Sequence, residues 1–151
     1  MPLDIREIPL GDHMTKYSIQ MPGLPAIHWM KAPQLGRPHD HPFGMTSVIS
    51  FGGYREEVFN MDGTSYFIDH RRDDSKADLH QPVNETFYIP ARRIHRIVEL
   101  FEGECCTHTW PHKWEQEWGE WEFREDGAYK RTWINGIGFG DFIKQEQEIL
   151  P

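Results

Sequence analysis

The sequence predicts an all-β domain, on three observations. Glycine and proline, 13 and 11 of 151 residues, punctuate the chain at roughly ten-residue intervals, and the runs between them are short and rich in β-branched and aromatic residues. Gly52-Gly53, Met61-Asp62-Gly63 and Asp126-Gly127 carry the chemistry of tight hairpin turns. Apolar spacing of the helical kind is scarce.

On this reading the strands cover 26–31, 45–51, 54–59, 64–69, 85–89, 96–101, 104–110, 117–123 and 129–133. The segment 79–84, with Pro82 and no apolar alternation, is expected to be a longer connection whose ends flank a pocket. Asp141 is placed to cap a short helix over 142–147. A chain of this length suits one hydrophobic core, so a single domain is expected over 1–151. Residues 1–35 are read as leading strands or an arm that also offers a homodimer surface, 36–135 as the main β core, and 136–151 as a tail with the helix.

Hydrophobic residues make up only 38% while aromatics reach 13%, so burial must lean on large rings. Trp110, Trp114, Trp118, Trp121 and Trp133 are accordingly read as packing groups before they are read as a stacking wall for a ligand. The formal charge of -8 would repel a phosphate backbone and an anionic membrane surface, which argues against nucleic acid and membrane as partners. The N-terminus lacks the basic start and apolar run of a signal peptide, and no stretch is apolar enough to span a bilayer, so a cytoplasmic location is expected. The adjacent Cys105 and Cys106 suit neither a zinc knuckle nor a loop-closing disulfide and are expected to be reduced thiols on opposite faces of a strand.

The chemistry concentrates in Pro38-His39-Asp40-His41-Pro42. On an extended backbone, residues at i and i+2 project to the same face about 6.6 Å apart, so both imidazoles can meet one ion. Downstream, Pro90-Ala91-Arg92-Arg93-Ile94-His95 supplies a third histidine, followed by Glu99. Together these segments resemble the two motifs of the cupin superfamily. In the first motif H-x-H is followed after three or four residues by Glu and then, after six more, by Gly; here Thr46 stands at the acidic position and Gly53 at the glycine. The second, P-x-G-x2-H-x3-N, is matched with Arg92 for its glycine and Glu99 for its asparagine.

More narrowly, His39-Asp40-His41-Pro42-Phe43, Gly52-Gly53-Tyr54-Arg55-Glu56, His95-Arg96-Ile97 and the tryptophan-rich 114–121 are similar to a group of small bacterial and phage cupins of uncharacterised function. The resemblance implies a double-stranded β-helix, the jelly-roll barrel, with His95 facing His39 and His41 across it. It implies a three-histidine site for a divalent transition metal, iron first and zinc, nickel, manganese or copper as alternatives.

Loss of the motif glutamate at Thr46 removes a charged ligand, and Glu56, shortly after Gly53, is the best candidate to restore a carboxylate. Arg92, Arg93 and Arg96 lie near His95 and could grip an anionic substrate. Glu56 and Arg96 are therefore the candidate catalytic residues, and His39, His41 and His95 the candidate metal ligands. The other histidines, His13, His28, His70, His80, His108 and His112, read as surface or hydrogen-bonded groups, with His108 the one able to approach the cavity if its strand parity allows. A metal-dependent small-molecule enzyme is expected, with dioxygenase chemistry slightly ahead of isomerase chemistry. The alternatives are a non-catalytic module for a sugar-like ligand and, more remotely, a phage assembly protein.

Overall fold

A computed structural model of the chain describes residues 5–9, 14–19, 23–78, 81–83 and 86–146. The described residues form antiparallel β-sheet and no helix, and none of them forms a helix able to cross a membrane. In chain order the strands are β1 (Ile5–Pro9), β2 (Met14–Ile19), β3 (Ala26–Met30), β4 (Phe43–Phe59), β5 (Ser65–Arg71), β6 (Asp73–Asp78), β7 (Gln81–Val83), β8 (Thr86–Ile89), β9 (Ile94–Trp114), β10 (Gly119–Arg124), β11 (Gly127–Ile134), β12 (Gly138–Phe139) and β13 (Ile143–Lys144). They assemble into a sheet of order β1-β2-β3-β9-β4-β5 with β8 also on β4, a sheet β10-β11-β12 with β13 on β11, and the pair β6-β7.

The spine is the antiparallel pair β4 and β9, 17 and 21 residues long. The glycine pair Gly52-Gly53, expected to close a hairpin, instead lies inside β4, where the register with β9 shifts. Gly52 takes φ +73°, and a Cβ there would meet the Glu104 carbonyl oxygen at 2.3 Å; a Cβ on Gly53 would meet that of His70 at 2.5 Å. These glycines serve close approach of the neighbouring strands and a bulge, not a turn. The extra residue flips the parity of the strand: Ser47 and Ile49 are buried before it, Tyr54, Glu56 and Val58 after it. The runs 96–101 and 104–110 are likewise one strand, with Gly103 within it.

The other two expected hairpins are present, at Gly63 between β4 and β5 and at Gly127 between β10 and β11. Two expectations are corrected. The sheets do not close into a barrel among the described residues; they are joined where His39 forms isolated bridges to both His95 and Glu120. No helix forms at the C-terminal end: Ile143–Lys144 pairs with Tyr129–Lys130, and the Gln145 amide donates to the Ala128 carbonyl. Six residues are too few to sustain a helix unaided, and the strand pairing satisfies the same backbone groups; Gln147 lies outside the described residues. Of the expected 79–84 connection, Gln81–Val83 is the strand β7, and Leu79, His80 and Asn84 lie outside the described residues.

One buried cluster, Met30, Ile49, Tyr54, Ile97, Leu100 and Cys105, fills the space along β3, β4 and β9, and a second, Ile94, Trp121 and Ala128, ties β9 to β10 and β11. Cys105 and Cys106 are both free and buried, and burial pushes the Cys105 thiol up to about 12.

The 38–41 segment is clamped by Asp40, which is 1% exposed. Its carboxylate accepts from the Gly119 amide at 2.8 Å and Trp121 Nε1 at 3.1 Å and pairs with Lys130 Nζ at 2.8 Å. Removing one partner of such a pair leaves the rest unmatched, so Asp40→Ala is expected to cost on the order of 3–5 kcal/mol in urea unfolding. A cost below about 1 kcal/mol, the range of exposed pairs, would show that the clamp is not used.

Candidate metal centre

Two segments supply the three histidines, 38–42 and the start of β9. The His39 amide donates to the His95 carbonyl and the His95 amide to the His39 carbonyl, both at 2.9 Å. Directly bridged antiparallel residues share a face, so these two rings emerge side by side. The His41 amide donates to the Ala91 carbonyl at 3.0 Å, and Gln116 Nε2 reaches the carbonyls of His41 and Ala91 at 2.9 and 3.0 Å. The i, i+2 relation puts His41 beside His39. The three ring centroids stand 4.8 to 5.0 Å apart, and their candidate ligand nitrogens all lie within 4.8 Å of one another.

Glu56, wholly buried, orients the cluster from behind. A carboxylate only accepts hydrogen bonds, so His95 donates from Nδ1 to Glu56 Oε2 at 2.5 Å and His70 from Nε2 to Oε1 at 2.8 Å, with Arg93 adding a 3.2 Å contact to Oε1. Burial works against the charged form, but the His70 and His95 hydrogen bonds and the charge of Arg93 prevail and hold the carboxyl far below the ordinary carboxylate range. With Nδ1 of His95 donating to Glu56, Nε2 is the nitrogen through which the neutral ring can ligate. That nitrogen is buried and has no hydrogen-bond partner, as is Nδ1 of His41. Burial, with His95 and His39 adjacent, keeps the His41 pKa well below the ordinary imidazole value. Three imidazoles with ligand nitrogens within 4.8 Å of one another, those of His41 and His95 buried and unpartnered and His95 oriented by a carboxylate, are a donor set that a transition ion fits.

The residues singled out for catalysis lie elsewhere. Glu56 is not in the histidine cluster but one bond behind it. Arg96 follows His95 on β9, and alternation turns it to the opposite face, where Nε donates to Glu57 Oε1 at 2.8 Å. Arg92 donates to Gln116 and Arg93 to Glu56, so all three arginines are engaged within the protein. Thr46 faces away from the site, its hydroxyl bonded to His112 Nε2 at 2.6 Å. Met45 and Ser47, either side of it, line the cavity. With three rather than four residues after His41, the motif's acidic position falls on Met45 and its glycine on Gly52.

The histidines open into a cavity of about 600 Å³. Its walls are largely apolar, with Met14, Met30, Met45, Tyr54, Ile89 and Ile97 among them. His108 is not on this wall; its neighbours Thr107 and Thr109 are. Two histidines carry more than the sequence reading assigned them. His70 is buried and stacks on Phe87 at 4.0 Å; it sits diagonally across from Glu56 in the β4–β5 register, which the Asp62-Gly63 turn makes readable in advance. His28 lies on the cavity wall, and burial, aided by the charge of Lys16, lowers its pKa to about 4.

No family model and no curated protein matches the chain. Among solved structures it is similar to the capsular polysaccharide assembling protein CapF from Staphylococcus aureus, at 16% identity and a TM-score of 0.47 over 77% of this chain. The match takes in 30% of that protein, so this chain spans less than a third of its length.

Two outcomes follow from the electrostatics. His28 is neutral in the fold down to pH about 4 but protonates at its ordinary 6.5 when unfolded. Its contribution is therefore fully present above pH 6.5 and is lost as pH falls from there to about 4. His28→Gln is expected to flatten the fall in stability over that window in denaturant melts at stepped pH; an unchanged slope would contradict the assignment. Glu56 has a depressed pKa, so its contribution is present above the ordinary carboxylate value of 4.5 and is lost on acidification below it. Glu56→Ala is expected to weaken zinc binding about 10- to 100-fold, as loss of an outer hydrogen-bond partner does elsewhere. Glu56→Gln, which still accepts from His95, is expected to lose less.

Proposed function

We propose that this chain is a cupin that holds one divalent transition ion on His39, His41 and His95 and binds a small molecule in the adjoining cavity. The observation that carries the reading is the convergence of three buried or half-buried imidazoles, from two segments more than fifty residues apart in sequence, with ligand nitrogens all within 4.8 Å of one another and those of His41 and His95 buried without a hydrogen-bond partner. Three neutral ligands and no carboxylate leave the full charge of the ion uncompensated in its first shell and leave coordination positions for a ligand from the cavity. When bound, the ion supplies Lewis acidity or, if it is iron, one-electron chemistry with dioxygen.

The chain's own residues do the rest. Glu56 fixes the His95 tautomer and ring direction, Asp40 holds the His39–His41 backbone against β10, and the largely apolar walls offer a surface for the apolar part of a ligand. Iron and a dioxygenase-type reaction are the preferred case. One observation favours a second reading, a non-catalytic binding module: Glu56 and Arg96, the candidate catalytic residues, are both committed to internal hydrogen bonds.

Elemental analysis of protein purified without chelator or added metal tests the reading. About one transition ion per chain is expected, and His39→Ala, His41→Ala and His95→Ala are each expected to lose it while keeping the β-sheet circular dichroism of the parent. Full metal content in any one of these variants would refute the three-histidine centre. Oxygen uptake by iron-loaded protein with candidate substrates then separates the two readings.

A further inference from the structure

The cavity carries a second polar feature besides the three histidines. Lys16 on β2 and His28 on β3 are direct cross-strand partners, and both line the cavity wall. Partners directly opposite one another on one face have Cβ atoms about 5 Å apart, so the ammonium and the imidazole can reach one ligand group. The other charged groups on the wall are already matched: Asp40 by Lys130, Glu120 by Arg131, and Arg37 by Glu122. Lys16 has no acidic partner among the described residues. His28 is neutral at pH 7, so it contributes a hydrogen bond rather than a second charge.

We infer that the Lys16–His28 pair is a subsite for the anionic group of the cavity's ligand, which is an apolar small molecule bearing a carboxylate. The inference rests on the cavity being the ligand site proposed above. The methionine and isoleucine wall takes the apolar body, and the ammonium and imidazole N–H take the two carboxylate oxygens. Charge balance points the same way, since three neutral ligands under a divalent ion with one carboxylate behind them leave the cavity net positive.

The probes are hexanoate and its neutral counterpart hexan-1-ol, measured by calorimetry on zinc-loaded protein and again after chelation. A charge-assisted bond at a partly desolvated site corresponds to about tenfold in affinity or more. Hexanoate is expected to bind at least about tenfold more tightly than hexan-1-ol in both forms. In Lys16→Met this preference is expected to fall to within about twofold, with hexan-1-ol affinity and zinc stoichiometry unchanged. Equal affinity for the two probes, binding of neither, or equal loss of both in Lys16→Met would overturn the inference. Zinc stoichiometry on the same samples reads the metal centre separately. Zinc-free protein that still prefers hexanoate refutes the centre and supports the subsite, and zinc-bound protein without that preference does the reverse.

Discussion

The site depends on one backbone contact, the reciprocal pair of hydrogen bonds between His39 and His95. It is a single isolated rung of antiparallel ladder between two residues 56 positions apart, and its His39 end lies outside the named strands. A rung sets the face as well as the distance, because residues directly opposite point the same way. Two rings are therefore paired by main-chain geometry alone. The third follows from the period of an extended backbone, since His41 comes two residues after His39 and shares its side.

What keeps this rung in place is a pair of buried carboxylates on either side of it. Asp40 holds the segment against β10 and β11 through Gly119, Trp121 and Lys130, and Glu56 ties His95 to His70 and Arg93. Burying two charges is expensive unless each is fully hydrogen-bonded, and both are. Both placements are specific: Asp40 is spent on Gly119, Trp121 and Lys130 and not on the histidines, and Glu56 reaches the interior because the bulge at Gly52-Gly53 changes the parity of β4.

The sequence made the all-β class readable from turn residues and strand composition and the His39–His41 pairing readable from the strand period, while the approach of His95 to them was implied by the resemblance to the cupin motifs. It was less informative wherever tertiary contacts choose between two local outcomes. Gly52-Gly53 has the composition of a hairpin turn, but strands on both sides press against it and β9 continues alongside, so it became a bulge. The stretch after Asp141 has a cap and no partner visible in sequence, and pairing with β11 took it. Thr46 and Met45 differ by one position, and in a strand one position is the whole difference between facing the cavity and facing away. His28 and His70 are indistinguishable from surface histidines until the registers of β2 with β3 and β4 with β5 are known.

The claim on which the account turns is that these three imidazoles bind a single ion. X-ray absorption at the zinc edge of zinc-loaded protein tests it directly. The account predicts a first shell containing three imidazole nitrogens at about 2.0–2.1 Å, with lighter oxygen donors completing it and no sulfur from Met45, Cys105 or Cys106. A shell with one imidazole or none, or one dominated by sulfur or carboxylate oxygen, would contradict it.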